Sequence, residues 1–379
     1  MNPGLQCINS ACLRQSLYLL DGGGVVYSET ENRFVGLNAA GVSAYRAFAE
    51  GADVRSLREC CDEHNFSSPG ADGLDVIHAL SQGIFPDENP REEWPLLEQP
   101  RNANIEIHGI PVLLEWPTGP LEDLCRDYFR NCLATTRLAR CHLHAQPGDG
   151  GWTIRVNGHA FLSQLRDEQL GLGFLHAARS LLYAEAKYDV AFHAAMVADD
   201  NQGILLCAPR ESGKSTLTAS LVARGFNLLT DEPALLHLDT SAVSSLLLPV
   251  SLKEGSWEIL HREWPQLKEA PVHMRSDGVR LRLLHPPQMR FSARPQRLTH
   301  FVFPEYNPSL PAHVEQLSPL RTLGLLNEGG MILAKHIDRV RFEAFLNLVC
   351  ITPAHTIRYA SLEEAIQILP QISIEDSII

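Results

Sequence analysis

Residues 203–232 read GILLCAPRESGKSTLTASLVARGFNLLTDE, and this stretch decides the fold class. GILLCA is an apolar run of strand length, PRESG is a polar turn, and KSTLTASLVARG is a helix-forming segment that stops at Gly225. Glycine suits the left-handed position just past a helix end. NLLTDEPALLHLD then begins a second apolar strand. Strand, glycine turn, helix and strand in that order belong to the α/β class.

The turn carries Gly213-Lys214-Ser215, the core of the phosphate-binding pattern G-x-x-x-x-G-K-[S/T]. Such a loop needs an apolar strand before it and a tight turn of exposed N–H groups. It also needs a helix start after it, whose dipole favours an anion. All three are present. Ala208 stands where the pattern has its first glycine. That glycine opens the turn, whereas the residues that crowd the phosphates lie nearer Gly213, so the reading survives the change. The expected nucleotide-binding residues are therefore Pro209, Arg210, Glu211, Ser212, Gly213, Lys214, Ser215 and Thr216. Lys214 would bridge the β- and γ-phosphates and the Ser215 hydroxyl would ligate Mg2+. A glycine turn with a solvated lysine is the alternative.

One helix later, Asp231-Glu232 closes the next apolar strand, where many P-loop ATPases hold an acidic residue for Mg2+. Neighbouring strand residues point to opposite faces. Either one carboxylate faces the metal while the other sits elsewhere, or both cluster at the strand end. VAFHAAMVADDNQGILL places His193 on the preceding strand, where spacing alone reads it as a core histidine.

Working outward, LYLLD-GGG-VVYSETENRFVGLN gives short strands around a glycine turn. Asn38 is the expected N-cap of a helix that ends at Gly51 and buries Val42, Tyr45 and Phe48. Two further helices follow, one capped by Asp53 and one over GLDVIHALSQGIF. Residues 1–88 thus read as a small winged-helix-like α+β domain. Residues 89–103, rich in proline and charge, read as a linker. Residues 104–379 form the α/β domain around the phosphate loop.

Composition narrows the function classes. Asp and Glu number 45 against 32 Lys and Arg, for a net charge of −13. That argues against nonspecific nucleic-acid binding and weakens the case for an anionic membrane as partner. The nine cysteines form no C-x-x-C and no zinc spacing, which suits reduced thiols in a cytoplasmic protein. The N-terminus lacks a secretory pattern, and no apolar stretch reaches the ~18–20 residues of a spanning helix.

His193-Ala194, APRESGKST, ARGFNLLTDE and LPVSLKEGSWEIL, in that order, resemble the HPr serine kinase-related kinases. RSDGVRLRLLHPPQ, HFVFPEYNPSLPAHVEQLSP and RYASLEEAI resemble the family's later segments, so the likeness spans roughly residues 100–370. It implies a fold of the HPr kinase and phosphoenolpyruvate carboxykinase P-loop group and ATP-dependent phosphorylation of a serine. By position, Asp231 would be the base, Glu232 and Ser215 would hold Mg2+, and His193 would lie beside the phosphates. Lys214 and Lys253 would contact them. The chain departs from true HPr kinases at Ala208 and at the Asp-Glu pair, and it lacks their glycine–arginine–asparagine segment. GLNAAGVSAYRAFAEGADVRSLRE resembles the PqqD-like peptide-recognition domains. These bind a leader peptide as an added strand, which by position would lie along Arg33, Phe34, Val35, Gly36 and Leu37.

Together the two resemblances imply a cytoplasmic peptide kinase using ATP and Mg2+, whose substrate would be a ribosomally made precursor peptide held by its leader. A kinase of an HPr-like or other small carrier protein is the second reading, and a non-catalytic ATP-binding switch the third. Self-assembly characterises true HPr kinases; the residues themselves do not speak to it.

Overall fold

In the computed structural model, strands β1 (Gln6–Ser10), β2 (Gln15–Leu20), β3 (Gly23–Ser28) and β4 (Arg33–Asn38) form an antiparallel meander. The structure describes residues 6–10, 15–21, 23–49, 66–67, 101–134, 139–148, 150–208, 212–275, 277–292, 294–335 and 337–375. Helix α1 (Ala39–Ala49) follows β4, and Asn38 Oδ1 accepts from the Gly41 N–H at 2.7 Å as its N-cap. The two-residue β5 (Phe66–Ser67) pairs with Val35 and Gly36 of β4. The other two helices expected in this region lie outside the described residues.

The meander has no core of its own large enough to stand apart. Tyr18, Val25, Tyr27 and Phe34 are buried in the same apolar cluster as residues far along the chain. Tyr27 stacks on Phe342 with ring centroids 4.0 Å apart, and its hydroxyl donates to the Ile337 carbonyl at 3.0 Å.

A second sheet runs β10-β9-β8-β7-β6: β6 (Arg101–Ile107), β7 (Ile110–Trp116), β8 (Cys141–Gly148), β9 (Gly151–Val156) and β10 (His159–Leu165). Arg101 is already paired with Trp116, so the last residues of the expected linker belong to this sheet. His108 and Gly109 both have positive φ, as do Asn157 and Gly158. These two-residue turns split the strand-like runs into hairpins. Helix α2 (Pro120–Tyr128) crosses over between the parallel strands β7 and β8, and it packs on α3 (Leu170–Glu185).

The α/β unit predicted around the glycine turn is present. Strand β13 (Gly203–Cys207) leads into helix α4 (Lys214–Ala223), preceded in the chain by β11 (Val190–Phe192) and β12 (Ala194–Ala198) and followed by β14 (Asn227–Thr230) and β15 (Ala234–His237). Helix α4 ends on Gly225 at φ +117, with Gly225 N–H donating to Val222 and Phe226 N–H to Leu221, both at 3.2 Å. This double bond pattern is a Schellman motif.

One antiparallel ladder runs through two sheets. Val190–Phe192 pair with Leu236–Ala234, and in the same register Met196 pairs with Thr230. Yet β11 and β15 belong to a five-stranded sheet with β16 (Ala242–Val243), β20 (Gln296–Arg297) and β23 (Met331–Leu333). β12 and β14 belong to a six-stranded sheet with β13, β21 (His300–Tyr306), β22 (His313–Gln316) and β24 (Ala354–Tyr359). In the six-stranded sheet β13, β21 and β24 run parallel. The chain leaves one sheet for the other at His193 and again at residues 231–233. Strands β17 (Val250–Lys253), β18 (Val272–Met274) and β19 (Arg280–Leu284) make a smaller, three-stranded sheet beside α4, followed at its first strand by α5 (Glu254–Leu260). Helices α6 (Pro319–Glu328), α7 (Arg339–Ile351) and α8 (Leu362–Glu375) complete the fold. Among the described residues no helix is long and apolar enough to cross a membrane.

Candidate functional site

The site lies where the broken ladder opens onto the glycine turn. Gly213 takes φ +85, a left-handed conformation that L side chains rarely adopt, and its carbonyl accepts from Leu217 N–H at 2.9 Å to start α4. Lys214 and Ser215 follow on the first turn. Lys214 Nζ donates to the His193 carbonyl at 2.9 Å. Ser215 Oγ donates to Asp231 Oδ2 at 3.3 Å, and the Ser251 N–H donates to the same oxygen at 3.1 Å.

Asp231 is 4% exposed, and its second oxygen, Oδ1, is buried without a hydrogen-bond partner. Burial pushes its carboxyl up from the ordinary range. Lys214 and the Ser251 N–H partly offset that, while neighbouring Glu232 adds to it. Ser212 Oγ, at the end of the turn, is likewise buried and unpartnered. Buried polar atoms without partners are uncommon in folded proteins.

The two adjacent carboxylates lie past the end of β14, in the bend that leads to β15, and their side chains find different partners. Glu232 places Oε1 2.6 Å from His193 Nδ1 and Oε2 3.4 Å from Arg179 Nη1. Burial alone would raise the Glu232 carboxyl; Arg179, His193 and Lys214 outweigh it and hold the group well below the usual carboxylate range. Glu232, expected as a metal ligand, is thus placed against Arg179 and His193. His193 is also moved: it occupies the bend between β11 and β12 rather than a strand, and its N–H donates to the Gly330 carbonyl at 3.1 Å. Gly330 has φ +93, and a Cβ there would come 3.1 Å from the His193 Cβ.

Of the other expected residues, Thr216 lies in the first turn of α4. Pro209, Arg210 and Glu211 lie outside the described residues. Lys253 ends β17, two residues beyond Ser251 and on the same side of the strand, while Val250 and Leu252 fill the core. In the N-terminal meander, β4 is not a free edge at its centre, because β5 already pairs with Val35 and Gly36. Phe34, Gly36 and Leu37 are buried, and Arg33 and Val35 are exposed.

Three contributors escape a sequence reading. Arg179 comes from α3, whose sequence is largely apolar; a lone arginine within such a helix was the available signal. Ser251 acts through its backbone, which no residue type announces. The Gly329-Gly330 pair was a signal for close backbone approach, since a Cβ on Gly329 would meet Cys207 Sγ at 2.5 Å.

The donor set suits Mg2+ with a nucleotide. Among the described residues no three His, Cys, Asp or Glu side chains gather to hold a metal ion. Mg2+ bound with phosphates needs only one or two protein ligands, and Ser215 beside Asp231 supplies a hydroxyl and a carboxylate. The orphaned Ser212 Oγ can donate to an anion in the turn.

No protein-family model matches the sequence, and no curated protein does. Among solved structures, the Hpr(Ser) kinase/phosphatase from Coxiella burnetii aligns with a TM-score of 0.24 and 13% identity, covering 49% of this chain and 98% of that one. A superposition that loose decides nothing about this chain.

Proposed function

We propose that this chain is a phosphotransferase that moves the γ-phosphoryl group of ATP to a serine hydroxyl on a peptide. The observation that carries the reading is Asp231: buried at the mouth of a glycine–lysine–serine turn, with one oxygen tied to Ser215 and Ser251 and the other without a partner. A carboxylate with a free buried oxygen is placed to accept a proton, and its raised affinity for protons makes it a better base.

In the proposed reaction the acceptor oxygen forms the new P–O bond, the bond from the γ-phosphorus to the β-bridging oxygen breaks, ADP leaves, and the hydroxyl proton passes to Asp231 Oδ1. Lys214 and the N–H groups at the start of α4 stabilise charge on the phosphates. Mg2+, held by Ser215 and Asp231, would supply further charge neutralisation. The Glu232–His193–Arg179 cluster fixes the bend that delivers the His193 carbonyl to Lys214. Proximity of His193 and Asp231 to the turn favours chemistry over a purely nucleotide-sensing role.

Capture of the acceptor's leader by the N-terminal meander is the part supported by sequence resemblance. Among the described residues β5 pairs with Val35 and Gly36 of β4, and Arg33 at the start of β4 is exposed. Tethering there would raise the acceptor's local concentration at the phosphate site.

The test is incubation of the protein with Mg2+-ATP and the candidate precursor peptide, followed by mass spectrometry. The peptide gains one phosphate with the native chain. Asp231→Asn keeps ATP binding and loses at least ~100-fold in rate. A variant that phosphorylates at the native rate overturns the assignment of the base.

A further inference from the structure

The parallel strands β13, β21 and β24 all end at the edge of the sheet where the glycine turn lies. Ligands of α/β sheets bind outside the carboxyl ends of such strands. Asp231 and His193 occupy one flank of the turn, on the β12–β14 side. The other flank is formed by the last residues of β21 and β24, which are Tyr306 and Tyr359, paired across the two strands. Their rings stand 5.9 Å apart and tilted by 51°.

The two tyrosines are built differently. Tyr359 is 1% exposed, yet its hydroxyl is buried with no hydrogen-bond partner. That hydroxyl lies against the turn, 3.0 Å from where a Cβ on Gly213 would stand. Burial, reinforced by Tyr306, pushes its ionisation further up, so it remains a donor at any working pH. Tyr306 is 50% exposed, and its Cβ lies 3.5 Å from the same Gly213 position. Its backbone is fixed, because the following Asn307 N–H donates to the Tyr359 carbonyl at 2.9 Å. One flank thus offers a carboxylate and the other an orphaned donor beside an exposed aromatic face.

We propose that Tyr306 and Tyr359 form the nucleoside side of the site: Tyr359 Oη donates to a phosphate oxygen of the bound nucleotide, and the Tyr306 ring takes the face of its base. This rests on the nucleotide reading of the turn, and it orients the ligand with its terminal phosphate toward Asp231. A hydroxyl given to an anionic oxygen forms a charge-assisted bond, and stacking against a base tolerates any base identity.

The test compares Mg2+-ATP with inorganic tripolyphosphate by calorimetric titration of the native chain, Tyr306→Ala, Tyr306→Phe and Tyr359→Phe. Tyr306→Ala weakens ATP by about tenfold and leaves tripolyphosphate within about twofold, and Tyr306→Phe restores ATP binding. Tyr359→Phe weakens both ligands by roughly tenfold. Because the Tyr359 hydroxyl has no partner to lose, that variant keeps the native melting temperature. Native ATP affinity in both Tyr306→Ala and Tyr359→Phe overturns the proposal. Equal weakening of both ligands by Tyr306→Ala overturns its stacking half. If the native chain binds neither ligand, the nucleotide reading of the turn fails first, and this proposal fails with it.

Discussion

Asp231 and Glu232 are neighbours in sequence with opposite proton affinities, and the cause is where each oxygen points. Asp231 is buried and titrates upward despite Lys214 and Arg179; Glu232 is gripped by Arg179 and His193 and titrates downward. The consequences for stability have opposite signs. The Glu232 contribution is fully present above its ordinary value of 4.5 and is lost as pH falls below it toward the depressed folded value. For Asp231 the ionised form is the costly one, so its protonation below the raised value favours the folded state. Glu232→Gln leaves Arg179 without its carboxylate and should cost about 2 kcal/mol at neutral pH, measured by urea unfolding. The same variant should show a smaller loss of stability on acidification between pH 5 and pH 3, roughly, than the native chain. Equal acid sensitivity in both would remove Glu232 as the acid-labile group. The sequence placed both carboxylates at a strand end and stated their divergence as one of two arrangements. It could not choose, because Arg179 reaches Glu232 from helix α3 and His193 from the bend between β11 and β12.

At the scale of elements, local signals were legible and long-range ones were not. The helix after the turn begins at Lys214 and is closed by Gly225, as the apolar pattern and the glycine predicted. Asn38 caps α1 for the same local reason. The break at His193 was hidden, since Val-Ala-Phe-His-Ala-Ala-Met-Val reads as one apolar strand. What bends it is tertiary: the Gly330 carbonyl that receives the His193 N–H, and the loss of pairing opposite residues 231–233. Gly330→Ala tests this element directly. A methyl group there is strained at φ +93 and crowds the His193 Cβ. The variant should lose about 1 kcal/mol or more of stability. Its phosphoryl-transfer rate should fall more than its ATP affinity, read by steady-state kinetics beside nucleotide titration. A selective loss of ATP affinity would instead place Gly330 in support of the phosphate turn.

Over the whole molecule, the N-terminal meander shares its apolar packing with residues far along the chain. Tyr18, Tyr27 and Phe34 all meet Phe342 of α7, and Asn32 Nδ2 donates to the Ala334 carbonyl at 3.1 Å. The linker reading came from proline and charge content, which describes how a segment is solvated and not whether the pieces it joins share a core. Phe342→Ala should therefore destabilise by about 3–5 kcal/mol. Its thermal unfolding should remain one transition reported alike by probes in both parts; two separated transitions would show modules that fold independently.

The register shared on the two sides of the opening, from Phe192–Ala234 to Met196–Thr230, bears on how this chain can change over generations. A substitution at His193 or Glu232 alters one side chain. One residue added or removed beside them shifts the pairing of every residue on one side, so that a strand built to face inward in both sheets turns its alternate side chains the wrong way. The two crossing segments are thus matched to each other in length, and descendants of this sequence can vary their chemistry far more freely than the number of residues within them; the bulge between Met196 and Val197 marks where the ladder already absorbs a slip of one.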